Sequence, residues 1–215
     1  HGFASGPQSR KGQELARRLA ARGVDLLLPD LNRPSFAELT VDGALDAIDD
    51  LVGADREATW RFIGSSFGGF LAARWSELHP SRVDRLLLLC PGFALGERWT
   101  AMMGEDAVET WRRDGTFPVE DGAGETVPMH WGFAESVERH PPYPHVPCPT
   151  RIIHGVRDET VPIETSRSYA ARHDHVHLVE VDDGVRQRAP DGDVDDLRLG
   201  GDVGHRKDGR VAVDV

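Results

Sequence analysis

Cysteine is scarce in this sequence: Cys90 and Cys148 are the two thiols. That is too few for a disulfide scaffold, and neither has the paired spacing of a metal knuckle, so both read as free, partly buried thiols and no metal site is expected. Lysine occurs only at Lys11 and Lys207, and the basic residues, nearly all arginine, form no cluster. With a formal net charge of −11, the chain lacks the basic face that phosphate binding relies on, which excludes a nucleic-acid partner. No apolar run approaches the ~18 residues of a membrane span. The densest runs, Val24–Leu28 and Leu86–Cys90, are strand-sized. The first residue is His1 rather than methionine, and no charged-then-apolar leader follows it. The expected setting is therefore reducing and cytoplasmic, and the chain is expected to be a fragment or a processed form.

What remains is a globular composition, 39% hydrophobic and 28% charged over 215 residues, enough for one domain with a sizeable core. Apolar periodicity predicts helices over 8–22, 41–52, 69–78 and 165–173, and strands over 24–28, 59–63, 83–90, 150–154 and 177–181. Short, doubly buried strands alternating with helices imply βαβ units: an α/β fold with a mostly parallel central sheet and helices on both faces. Active sites in such sheets lie beyond the carboxyl ends of the strands.

Two stretches break the alternation. Residues 96–147 form a long insertion rich in aromatics, proline and glycine, as expected of a lid or binding loop. From about Val185 the periodicity vanishes, and 185–215 reads as an atypical, disordered tail foreign to a domain spanning 1–184. A shifted reading frame or a chimeric end would account for it.

Three segments carry chemistry. Gly64-Ser65-Ser66-Phe67-Gly68-Gly69 matches G-x-S-x-G between a predicted strand and a predicted helix. A nucleophile on so tight a turn needs small residues two positions to either side, and the turn aims the Ser66 hydroxyl at a helix N-terminus. The competing reading is a plain glycine-rich turn. His1-Gly2-Phe3 is suited to an oxyanion hole, in which the Phe3 amide would join that of Phe67; a frayed terminus is the alternative. In Ile153-His154-Gly155-Val156-Arg157-Asp158, the loop after a late strand carries Asp158, placed to orient a histidine or merely to cap the next helix.

Together these segments resemble the α/β-hydrolase superfamily, and the first two are especially similar to the small bacterial YqiA/YcfP-like esterases. The match runs from about Gly2 to Gly184. The resemblance implies an eight-stranded, mostly parallel sheet, cofactor-free ester hydrolysis and a triad in the order Ser–Asp–His. It also implies a strand just before His1, absent there, whose loss would leave sheet edges unpaired. The family histidine follows the last strand in a context such as Asp-Gly-His. Here Asp182-Asp183-Gly184 leads to Val185 instead.

His205 is the one histidine beyond the last predicted strand and is taken as the base. His173, His175 and His177 alternate along an extended segment; a metal site would need further ligands beside them, so a solvated strand edge is favoured. His130, His140 and His145 lie in the insertion, and nothing singles one out. The expected function is a serine hydrolase acting on small-molecule esters of short to medium acyl chains through an acyl-enzyme, with Trp99, Trp131 and Phe133 lining an apolar substrate site. A catalytically impaired homologue acting as a binding module is the alternative from another class, and a thioesterase or acyltransferase is a third. The oligomeric state is not legible.

Overall fold

The computed structural model describes residues 1–53, 57–182 and 211–213. Helix α1 (Arg10–Ala20) opens on Ser9, whose hydroxyl accepts the Gly12 amide at 3.2 Å. Strand β1 (Leu26–Leu27) follows, shorter than the apolar run around it. Helix α2 (Val41–Val52) is capped by Thr40, whose Oγ1 accepts from the Gly43 amide. Side-chain oxygens at these positions satisfy amides that a first helical turn leaves without acceptors. Strand β2 (Trp60–Ser65), helix α3 (Phe67–Leu78) and strand β3 (Val83–Leu89) come next. After the insertion come β6 (Thr150–Gly155), α7 (Ile163–Ala170) and β7 (Val176–Val181).

With β8 (Val211–Val213) included, all neighbours in the six-stranded sheet are parallel, in the order β1-β8-β2-β3-β6-β7. Strand β8 (Val211–Val213) belongs to the segment expected to stand outside the fold. It pairs Val211 with Leu26 on one side and with Arg61 on the other, and Val213 with Ile63. The seam between β1 and β2, where a missing strand was expected to leave edges unpaired, is therefore filled by β8. A gap there would strand two rows of amides and carbonyls, and Val-Ala-Val is a short, strand-prone run able to satisfy both.

The core closes around the sheet. Trp60, Trp75, Phe70, Leu71, Leu88 and Ile152 are all buried. The Trp75 indole N–H donates to Asp49 at 2.8 Å, so a large ring is buried without losing its polar contact.

The insertion is ordered. It holds α4 (Trp99–Met103), α5 (Glu105–Asp114), an antiparallel hairpin of β4 (Thr116–Glu120) with β5 (Thr126–His130), and α6 (Gly132–Glu138). The Trp111 indole donates to the Met129 carbonyl, and the Trp131 amide to that of Gly115. The His130 amide donates to Ala37, tying the hairpin to the loop before α2.

Candidate active site

Strand β2 ends at Ser65 and helix α3 begins at Phe67, leaving Ser66 alone to make the turn. Its backbone stands at φ 52°, ψ −116°, a conformation in which a Cβ is strained. Three hydrogen bonds hold it. The Ser66 amide donates to the Leu89 carbonyl at 2.9 Å, and the Ser66 carbonyl accepts from Gly92 at 2.7 Å and from Phe70 at 3.1 Å. The glycines have a steric cause. A Cβ on Gly64 would lie 2.4 Å from the Gly68 carbonyl oxygen, and one on Gly68 would lie 2.6 Å from that of His1. The Ser66 hydroxyl makes no capping bond to the helix it begins. The predicted helix start at residue 69 falls two residues late, because helical geometry sets in directly after the serine.

The loop of residues 1–7 lies against this turn. A Cβ on Gly2 would sit 3.5 Å from that of Ser66. The His1 ring is buried, with Nε2 accepting the Leu31 amide at 3.1 Å and Nδ1–H directed at the Gly2 carbonyl at 3.0 Å. Burial lowers its pKa below the ordinary 6.5, consistent with a neutral imidazole that accepts at Nε2. Asn32 donates to the Ser5 carbonyl and fixes the loop further along. The amide of Phe67 is the first in its helix and has no carbonyl one turn back; among the described residues neither it nor that of Phe3 donates to a backbone carbonyl. Four non-glycine residues among those described have positive φ: Ala4, Ser66, Cys90 and Ala94. Ser66 and Cys90 end adjacent strands, a clustering of strain expected where backbone geometry serves a site.

Asp158 lies past the tip of β6, two strands from the turn. Its Oδ1 accepts the amides of Thr160 at 2.8 Å and Val161 at 2.9 Å, while Oδ2 lies 3.6 Å from His154 Nε2. Its side chain is only 3% exposed. His154 is not a free base. Its Nε2–H donates to the Val161 carbonyl and its Nδ1 pairs with the Ser166 hydroxyl, both at 2.8 Å, and the ring is fully buried. Cys90 completes this group, and one donor atom from each of Cys90, His154 and Asp158 lies within 4.8 Å of the others. Burial, with the Asp158 carboxylate beside it, pushes the Cys90 thiol up to about 12. With Nε2 donating to a carbonyl and the sulfur protonated, these three fit a hydrogen-bonded cluster rather than a metal centre. The i, i+4 spacing of His154 and Asp158 hinted at their meeting, whereas nothing near Cys90 in sequence pointed to it.

His205 lies outside the described residues. His140 is engaged, with Nδ1 accepting from Arg74 and Nε2 facing Asp42 at 3.1 Å. Of the three aromatic residues expected to line a substrate site, Phe133 and Trp99 are buried, at 1% and 8% exposure, and Trp131 is half-buried. Phe133 stacks on Phe3 at 5.2 Å and meets Phe67 edge-on at 5.5 Å and Trp99 at 5.8 Å. Trp111 bridges Trp99 and Trp131. The insertion is thus packed on both residues whose amides flank the serine turn.

The fold is found in proteins of known structure. Alpha/beta hydrolase domain-containing protein 10 from mouse superposes with a TM-score of 0.67 at 21% identity, covering 85% of this chain and 78% of the mouse protein. Est1E from Butyrivibrio proteoclasticus gives 0.57 at 17% identity, covering 84% and 75%. The fold is accordingly that of the α/β-hydrolases. No curated protein sequence matches. Residues 1–186, which hold the serine turn, the His1-Gly2-Phe3 loop and Asp158, match one sequence family throughout, and the chain belongs to it: the uncharacterised protein family UPF0227.

Proposed function

We propose that the protein is a serine hydrolase that cleaves carboxylic esters of short to medium acyl chains through an acyl-enzyme on Ser66. The observation that carries this reading is the strained Ser66 backbone, φ 52°, wedged between Gly64 and Gly68 at the start of α3. Strain of this kind persists only where the surroundings over-determine it, and here it lifts a hydroxyl without a helix-capping bond clear of the sheet.

In the proposed reaction, Ser66 Oγ attacks the ester carbonyl and passes its proton to a histidine, for which His205 is our candidate. The Phe67 and Phe3 amides receive the developing oxyanion. Asp158 orients the imidazole. Two backbone amides hold its Oδ1, which leaves Oδ2 to accept from a ring N–H. The histidine then protonates the departing alcohol, and water, activated by the same base, releases the acid. The insertion serves as the lid, with the half-buried Trp131 facing the acyl chain and the buried Trp99 and Phe133 packing the lid onto the Phe3 and Phe67 rings. Among the described residues no helix is long and apolar enough to cross a membrane, and small esters in the cytoplasm are the proposed substrates.

Turnover of p-nitrophenyl butyrate by the full chain and by Ser66→Ala tests the proposal. Equal rates would remove it, as would failure of a fluorophosphonate probe to label Ser66. A panel of acyl-CoA thioesters beside the esters separates hydrolysis of oxygen esters from thioesterase or acyl-transfer chemistry on the same scaffold.

A further inference from the structure

Cys90 directly follows β3, and Asp158 lies in the loop after the neighbouring strand β6. The Cys90 amide donates to the Ile153 carbonyl at 2.9 Å, which ties the two strand ends together. Its backbone stands at φ 45°, a conformation that costs any residue but glycine. There the Cys90 sulfur, one Asp158 carboxylate oxygen and a His154 ring nitrogen lie within 4.8 Å of one another. Taking Asp158 as the acid of the hydrolase proposed above, we propose that Cys90 is its positioning residue. Its thiol donates to the carboxylate and so fixes the oxygen that meets the histidine.

The carboxylate has a place for such a donor. Buried carboxylate oxygens need hydrogen-bond partners. Oδ1 has two, the amides of Thr160 and Val161. Oδ2 lies 3.6 Å from His154 Nε2, but that N–H is given to the Val161 carbonyl at 2.8 Å, and Nδ1 is engaged with the Ser166 hydroxyl. Oδ2 thus keeps two lone pairs. A thiol on one of them restrains rotation of the carboxylate, and the other stays available for an imidazole N–H.

The thiol also has a proton to give. Burial is the main cause of its high pKa, the Asp158 charge and its accepting oxygen add to the rise, and the Gly155 amide and Lys11 act the other way. A thiol is a weak, uncharged donor. That suits this position, because a cation bound to Oδ2 would compete with the imidazolium that Asp158 is proposed to stabilise. The Arg98 guanidinium also interacts with Asp158, but its Nη1 donates to the Thr160 carbonyl at 2.8 Å and so holds the same loop from the insertion. On the far side, Glu180 of β7 interacts with His154. Cys90 is thus the neutral contact in a group of charges.

Two measurements on the full chain test this. Cys90→Ala should lower kcat for p-nitrophenyl butyrate by ~3- to 10-fold with KM unchanged, the scale of one weak hydrogen bond, and Cys90→Ser, which keeps a donor, should recover most of the rate. The acid limb of the kcat/KM profile should move to higher pH in Cys90→Ala but not in Cys90→Ser, because a carboxylate that has lost a donor holds a protonated imidazole more strongly. The second measurement needs no turnover. Asp158→Asn removes the charge beside the thiol, so Cys90 should ionise at lower pH and be alkylated by iodoacetamide several-fold faster at about pH 9. Peptide mass mapping reads this, with Cys148 as the unchanged control. Wild-type kcat in Cys90→Ala, a rate that Cys90→Ser does not recover, or equal alkylation of Cys90 with and without the Asp158 charge would overturn the assignment. Faster alkylation in Asp158→Asn beside a wild-type chain that turns over no ester would instead sink the hydrolase reading and uphold the pairing of thiol with carboxylate.

Discussion

The amide of Gly92 donates to the carbonyl of Ser66 at 2.7 Å, so the loop leaving β3 grips the turn leaving β2 at a residue held at positive φ. A Cβ on Gly92 would lie 3.1 Å from that same carbonyl oxygen. The strain at Ser66 is thus held from outside by a neighbouring strand. Residues so held are candidates for reaction chemistry because folding alone gains nothing from them.

Ser66→Gly should therefore stabilise the fold while abolishing turnover. Glycine enters positive φ without penalty, and no capping bond is lost because the Ser66 hydroxyl makes none. A gain of about 1 kcal/mol, or a melting temperature higher by about 2–4 °C, is expected. Ser66→Ala keeps the strain and should lose activity without that gain. A lower melting temperature for Ser66→Gly would contradict this account of the turn.

Alanine at Gly64 or Gly68 should be costly, because the new carbon would meet backbone oxygen at 2.4 or 2.6 Å. Backbone cannot swing aside as a side chain can, so a loss of about 3 kcal/mol is expected in denaturant titration. Gly132→Ala is the control: nothing lies within 4 Å of its added carbon, and a change of no more than about 1 kcal/mol, toward greater stability, is expected at this helical position.

Asp158→Asn should fold normally, since an amide oxygen can still accept from Thr160 and Val161. If Asp158 orients the base as proposed, turnover should fall by about 10,000-fold, the scale of the same change in a serine-protease triad. Asp158→Ala should in addition cost about 1–3 kcal/mol by leaving both amides without an acceptor. Full activity in Asp158→Asn would remove the residue from the mechanism.

Protonation of His1 should weaken the fold on the acidic side. Burial lowers its pKa below 6.5, so at mildly acidic pH the unfolded chain holds more protons than the folded one. The stability contributed by His1 is complete above the ordinary 6.5 and is lost as pH falls from there toward the lowered value. The charged ring would also cease to accept the Leu31 amide. Melting temperatures from about pH 7.5 down to about pH 5.5 should fall for the wild type and fall less steeply for His1→Gln. Parallel slopes would exclude His1 as the cause.

Removal of the Phe133 ring probes the seam between insertion and sheet. Phe133→Ala should cost about 3–5 kcal/mol, because the cavity would lie among Phe3, Phe67 and Trp99, with little room to collapse. Urea denaturation measures this directly.

Local regularities were readable. Helix α2 was predicted residue for residue from the core spacing of Leu45, Ile48 and Leu51, of which Leu45 and Ile48 are buried and Leu51 is half-buried. The serine turn was readable because its constraint acts over five residues, Gly64 to Gly68. Strand β1 was overestimated: residues 24–28 are apolar apart from Asp25, but among the described residues only Leu26 and Leu27 find partners, and pairing depends on where β8 ends up. Phe133 was chosen for its aromatic character, and its burial was invisible because its partners lie as far away in sequence as Phe3.

The sequence by itself determined the α/β alternation, the strand–serine–helix turn with its local requirement for glycine at Gly64, and the order of the chemical segments, because periodicity and the Gly64–Gly68 contact act within a few residues, whereas the demand on Gly68 comes from the distant His1 carbonyl. Only the tertiary structure decided that Val211–Val213 fills the seam between β1 and β2, that Cys90 sits beside Asp158, and that His145 joins His173 and His175. Those contacts join residues tens to nearly two hundred positions apart, and the packing that selects them is non-directional and leaves no periodic trace along the chain.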